Sequence, residues 1–281
     1  MREVSAESVT EKIKELFLSA NFYIGDDIMK ELQRARDSEV SETGKAVLDM
    51  IIENDKIASR EEIALCQDTG LAVVFAEIGQ DVAITGGAFN AAVNEGVKAA
   101  YEDGYLRKSA VDDPVFDRVN TKTNTPAIIY TSIVPGDALR FIVTPKGFGS
   151  ENMSALAMMK AADGAEGIVN FVVDTVVKAG PNPCPPTVVG VGIGGTADWA
   201  MMMAKKATIR PLGEHNPDER YAAMEREILE KVNKSGIGPA GLGGRTTALA
   251  VHVNYFPTHI AGMPVAVNIC CHAARHAEGT L

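Results

Sequence analysis

The sequence predicts a mixed α/β fold of the α+β kind, with a helical N-terminal layer followed by mixed sheets with packed helices. Three observations carry this. Residues 4–57 repeat apolar side chains at helical spacing: Val9, Ile13, Leu16 and Phe17, then Ile28 and Leu32, then Val47, Met50 and Ile51. From about residue 62, short β-branched runs bounded by Gly, Pro and Asp take over. These runs mix with helical stretches without strict alternation, so the sheets are expected to be mixed.

Taken in order, Asn21–Asp26 and Asp37–Glu42 break and cap the N-terminal helices. Residues 71–78 read as a strand between Gly70 and Gly79, and 87–104 as a helix ending at Gly104. Residues 127–134 and 139–145 are strands with Pro135–Gly136–Asp137 between them, a hairpin signal. Residues 150–180 read as one or two helices, broken at Asp163–Gly164. Residues 187–195 form a glycine-rich strand or turn, and 196–207 a helix with Thr196 as N-cap. Residues 217–234 are an amphipathic charged helix, and 248–256 and 263–270 are strands. The expected organisation is a helical region, 1–60, and a mixed α/β region, 61–281, within one structural unit.

Composition narrows the function. With 46% hydrophobic and 23% charged residues the chain is ordinary soluble globular protein. A net charge of −10 with no basic stripe excludes the usual nucleic-acid binders. No run reaches the ~18 apolar residues that span a bilayer. The N-terminus carries charges inside its apolar stretch, unlike a signal peptide. A cytoplasmic location is the expectation, and there separated cysteines are reduced, metal-binding or catalytic.

The cysteines fall at three sites: Cys66 in LCQDTG, Cys184 in PNPCPP, and Cys270–Cys271 in NICCHAAR. Thiolates hold iron–sulfur clusters, and a cubane with three of them leaves one iron open as a Lewis acid. Gln67 and Asp68 follow Cys66 at once and would bring polar groups beside one ligand; the plainer reading is a buried cysteine before an Asp-Thr-Gly turn. Prolines 181, 183, 185 and 186 make a rigid, non-helical loop around Cys184. If 263–270 is a strand, Cys270 and Cys271 point to opposite sides, so one of them faces the site. His272 and His276 are four apart, and two histidines in a terminal helix without metal is the simpler reading.

Other segments stay open between a site and plain structure. Lys146, Gly147, Gly149, Ser150 and Asn152 sit at a helix start that either binds an anion or is merely capped. GVGIGG matches GxGxxG through Gly190, Gly192 and Gly195, but no strand with an acidic end follows. Close helix–strand packing or an anion-binding loop is preferred to a nucleotide site. Residues 107–127 form a long polar loop in which Arg107, Asn120, Thr121, Thr123 and Asn124 either meet a dicarboxylate or face solvent.

Taken together, CQDTG, KGFGSEN, NPCPP, PTHIAG and CCHAAR resemble, in order and over essentially the entire chain, the class I iron–sulfur-dependent fumarate hydratases and their L-tartrate dehydratase relatives. The match is to the α-subunit, or N-terminal half. The resemblance implies a [4Fe–4S] cluster on Cys66, Cys184 and Cys271 with one open iron; Cys271 is favoured over Cys270 because Cys-x-Ala-x-Arg fits CHAAR. It implies that Gln67, Arg107 and Gly149 contact substrate, that Asp68 is an acid, and that His259, twelve residues before Cys271, lies near the site. Phe148 departs from the glycine the family often has there. The implied activity is a hydro-lyase reaction of the tricarboxylic acid cycle, the reversible dehydration of (S)-malate to fumarate. It requires a β-subunit that supplies the base and the rest of the site. Tartrate dehydration is the alternative, one hydroxyl apart. A non-enzyme alternative is a metal-binding or redox-sensing protein, for example with zinc; the absence of a CxxC pair favours the cluster.

Overall fold

The computed structural model describes residues 1–281. In chain order its elements are β1 (Arg2–Ser5), α1 (Ala6–Phe22), α2 (Asp26–Ser38), α3 (Glu42–Glu61), β2 (Leu71–Gly79), β3 (Val82–Thr85), α4 (Phe89–Asp103), β4 (Ile128–Val134) and β5 (Leu139–Lys146). They continue with α5 (Phe148–Glu151), β6 (Ala155–Met159), α6 (Gly164–Ala179), β7 (Thr187–Gly194), α7 (Ala197–Ala207), α8 (Glu219–Asn233), β8 (Ala248–Phe256), β9 (Met263–Cys270) and β10 (Ala277–Thr280). The mixed α/β class is as the sequence predicts. The chain divides into two compact units, Met1–Ile24 with Asp55–Phe148 and Arg275–Leu281, and Gly25–Asn54 with Gly149–Ala274. α1 lies in the first unit, α2 in the second, and α3 passes from the second into the first at Asp55.

In the first unit, Ser5 caps α1 by accepting the Ser8 N–H at 3.0 Å. The predicted stripe of α1 (Val9, Ile13, Leu16, Phe17) is buried, and α4 packs on it. Gly96 makes the approach close, since a Cβ there would lie 2.6 Å from the Thr10 carbonyl oxygen. The sheet runs β10-β5-β2-β4, and a separate parallel pair joins β1 to β3.

The expected β4–β5 hairpin does not form. β4 pairs parallel to β2 and β5 antiparallel to it, so β2 lies between them. The Pro135–Asp137 turn crosses the end of β2 instead. Gly79 gives it room: a Cβ there would sit 2.5 Å from the Gly136 oxygen. The turn is held by Gln80 N–H to Val134 at 2.8 Å and Asp81 N–H to Gly136 at 2.9 Å.

In the second unit the sheet runs β6-β9-β7-β8, with β7 parallel to β8 and antiparallel to β9. Successive residues of β7 serve opposite faces. Val189, Val191 and Ile193 join a core with Val172 of α6, Ile228 of α8 and Val267 of β9. Gly190 and Gly192 face α7, where added Cβ atoms would lie 2.0 Å from the Ala204 oxygen and 2.1 Å from the Ala200 oxygen. The GVGIGG motif is thus used for close helix–strand packing. Residues 155–159, expected to be helical, are a strand on β9 (Ala155 opposite Val267). The open edge of β9 overrides the helix propensity of Ala, Leu and Met there. Residues 272–276 are not helical, so His272 and His276 share no helix face.

Candidate active site

The register of the first sheet gathers four segments at one edge. β2 starts there (Leu71 opposite Lys146), β5 ends there, β10 starts there (Ala277 opposite Val143), and β4 starts there (Ile128 opposite Val73). The segments that leave this edge are Cys66–Gly70, Gly147–Phe148, Arg275–His276 and the residues before β4.

Asp68 is oriented there by two backbone donors. Its Oδ1 accepts the Gly70 N–H at 3.0 Å, and its Oδ2 accepts the Phe148 N–H at 2.8 Å. Gly147 passes so close that a Cβ would stand 3.2 Å from Oδ2. The CQDTG turn is fixed from below by the buried hydroxyl of Tyr101, which donates to the Thr69 carbonyl. Burial pushes that phenol far above its ordinary pKa, so it stays a donor. Asn124, fully buried, accepts the N–H groups of Ser109 and Ala110 at 2.8 and 3.1 Å and donates to the Gly70 carbonyl at 3.1 Å. Thr69 Oγ1 donates to the Arg107 carbonyl at 2.6 Å. The backbone of Arg107 is therefore pinned beside Asp68 while its side chain is exposed. Gln67 is exposed too, and its Oε1 lies 3.4 Å from Cys66 Sγ. Lys146 is buried at the end of β5, with its amine 3.4 Å from the Gly147 oxygen.

In the second unit Cys184 and Cys271 also share a sheet edge. Cys184 precedes β7 and Cys271 follows β9, and Val188 pairs with Cys270. The His272 N–H donates to the Cys184 carbonyl at 3.3 Å. The Cys184 loop is tight: its N–H donates to the Pro181 carbonyl at 3.0 Å, and its φ is 54°, in the left-handed region. A Cβ on Gly149 would lie 3.6 Å from the Asn182 carbonyl oxygen, so the exposed Gly149 belongs to the same edge. Behind it Glu151 pairs with Lys205 and accepts from Asn268 Nδ2 at 2.9 Å, which anchors the glycine loop to α7 and β9.

His259 is exposed in the β8–β9 loop, where its Nδ1 accepts the Ala261 N–H at 3.1 Å. It precedes β9, and Cys271 follows that strand.

The donor chemistry fits an iron–sulfur group. None of the four cysteines is in a disulfide; Cys66 and Cys271 are half-buried on loops and Cys184 is exposed, while Cys270 is buried within β9. Within neither unit are three His, Cys, Asp or Glu side chains gathered to hold a metal ion. Thr69, Tyr101 and Arg275 shape the site without having been marked for it by the sequence, and Asn124, read as meeting a dicarboxylate or facing solvent, is buried and clamps the loop backbone. Arg275 carried a signal, as the arginine of CHAAR.

Comparison with known proteins agrees with this geometry in extent. The family described as "Fumarate hydratase (Fumerase)" matches residues 10–280. A Methanocaldococcus jannaschii protein named "Putative L(+)-tartrate dehydratase subunit alpha" is 44% identical over 282 residues, covering 96% of each chain. An Escherichia coli protein named "L(+)-tartrate dehydratase subunit alpha" is 30% identical over 289 residues, covering all of this chain and 94% of its own. No helix is long and apolar enough to cross a membrane.

Proposed function

This chain belongs to the fumarate hydratase (Fumerase) family of hydro-lyases, and on that premise we propose that it is the α-subunit of an L(+)-tartrate dehydratase. The observation that carries the reading is Asp68, whose two oxygens are aligned by the Gly70 and Phe148 N–H groups beside the Cys66 thiol and the pinned Arg107. Tartrate is preferred to malate because the relatives covering nearly the whole chain bear that name. Malate dehydration to fumarate, the primary expectation from sequence, becomes the second reading.

Cys66, Cys184 and Cys271 would hold a [4Fe–4S] cluster, and the buried position of Cys270 supports Cys271 as the third thiol. When bound, the cluster would supply a Lewis acid that polarises the leaving hydroxyl. The exposed Arg107 guanidinium pairs with a substrate carboxylate, which Arg does in a bidentate manner. Gln67 and the backbone of Gly149 orient the remaining oxygens. Asp68 gives its proton to the departing hydroxyl, which leaves as water. The C–H proton goes to a base on a β-subunit. Loss of water from tartrate leaves an enol, which tautomerises to oxaloacetate. His259, the histidine of PTHIAG, would tune the Asp68 proton.

The test is anaerobic reconstitution of the chain with iron and sulfide, followed by assays on L(+)-tartrate and (S)-malate with and without the candidate β-subunit. Oxaloacetate formed from tartrate, only with the partner, is the expected result. Turnover of malate alone would replace tartrate by the second reading. No cluster and no turnover would overturn both.

A further inference from the structure

Arg275 is 2% exposed, and it reaches the candidate site from 207 residues away. Its backbone is fixed first: the Thr144 hydroxyl donates to its carbonyl at 3.0 Å. From there Nε donates to the Pro145 carbonyl at 3.3 Å and Nη2 donates to the Asp68 carbonyl. Nη1 is buried and makes no hydrogen bond. One planar group thus bridges the two chain segments that orient the Asp68 carboxylate. Asp68 lies in one, and Phe148, which donates to Oδ2, follows Pro145 in the other.

Burying a guanidinium to bind two carbonyls is costly unless negative charge lies near. Asp68 is near but makes no direct ion pair with the guanidinium. Both groups flank Gly147, where a Cβ would be 3.2 Å from Asp68 Oδ2 and 4.0 Å from Arg275 Nη2. The arginine therefore leaves both carboxylate oxygens to the Gly70 and Phe148 amides, which set their direction. A lysine cannot do the same, because a single nitrogen cannot bridge both carbonyls in the fixed geometry of the guanidinium fork.

We infer that Arg275 is a positioning residue for Asp68: it sets the separation of the CQDTG turn and the KGF loop, and through it the orientation of the carboxylate. The catalytic part of this assignment rests on the proposed function; the geometric part does not.

The test uses the full chain carrying Arg275→Gln or Arg275→Lys, each alone and with Asp68→Asn. With the cluster and β-subunit present, both Arg275 variants are expected to lose about 100-fold in kcat. KM and iron content stay within about twofold of the parent, an expectation that follows if only the reacting geometry is lost. In the Asp68→Asn background neither is expected to cost anything further, since a residue acting through Asp68 has nothing left to act on. The second readout needs no activity. Amide hydrogen exchange of Phe148 and Gly70 should quicken at least tenfold in the Arg275 variants, with Phe141 and Val143 of β5 unchanged as the report that the sheet is intact. An equal loss of kcat with and without Asp68, or unchanged exchange at Phe148 and Gly70, would overturn the assignment, as would full activity of Arg275→Lys. If the unaltered chain dehydrates neither diacid, the proposed function fails, and the exchange experiment still decides the role of Arg275.

Discussion

The carbonyl oxygen of Cys184 accepts the backbone N–H of His272 at 3.3 Å, so a main-chain bond joins the loop before β7 to the residues after β9. Replacing Cys66, Cys184 or Cys271 by Ala should abolish the brown absorbance that follows anaerobic reconstitution. Cys270→Ala should keep it and cost roughly 1 kcal/mol, as a small buried truncation does. The left-handed φ of Cys184 adds a distinction. Cys184→Gly should give a metal-free chain about 1 kcal/mol more stable than Cys184→Ala, because only the glycine adopts that conformation without steric cost. Urea melts of the two variants decide it.

Asp68→Asn keeps one acceptor oxygen, enough for one of the Gly70 and Phe148 amides, and on the proposed role it removes the proton given to the hydroxyl. The expected result is a kcat loss of about 10²- to 10⁴-fold with unchanged cluster content. Steady-state kinetics beside iron analysis of the same sample would show it, and a loss of cluster in parallel with activity would contradict it.

Gly192 abuts the Ala200 carbonyl so closely that a methyl group cannot be accommodated without moving α7 off the sheet. Gly192→Ala should destabilise the protein by at least about 3 kcal/mol. Gly213→Ala is the control. Unlike Gly192 it has a positive φ, 93°, but open space around it, so the expected cost is about 1 kcal/mol. Similar melting temperatures for the two variants would contradict the packing argument.

His252 is buried in β8, with its ring Nδ1 3.1 Å from the Ala207 carbonyl oxygen. Burial, reinforced by the Arg210 charge, lowers its pKa from the ordinary 6.5 to about 4. The unfolded chain therefore binds this proton first as pH falls. Stability from the neutral ring is fully present above about pH 6.5 and is lost progressively down to about pH 4, in total about 3 kcal/mol. His252→Gln should flatten the slope of unfolding free energy against pH in that window. A slope equal to the parent's would show that other groups carry it.

Where the sequence is legible, one interaction dominates locally. The stripe Val9, Ile13, Leu16 and Phe17 needs only one apolar partner to become a helix, and α4 supplies it. The run of β9 is buried from Pro264 on and reads as a strand for that reason, while the glycines of the equally buried β7 leave it open between strand and turn. Ala155–Met159 does not read as a strand, since its residues favour helix and only the edge of β9 makes them one. Pro135–Asp137 announces a turn, but turn chemistry does not say which strands it joins, and β2 slips between them. At the site, Cys66, Gln67 and Asp68 are contiguous and therefore visible as a motif. Arg275 appears in its own motif, but its role depends on β10 returning to β5, a pairing that no local pattern encodes.

The first unit is assembled from three separated stretches, and the third of them, Arg275–Leu281, brings both β10 and the guanidinium bridge. During synthesis the ribosome delivers all of Gly149–Ala274 before this stretch appears. The unit begun first is then completed last, and the CQDTG turn waits unbraced while its neighbour folds.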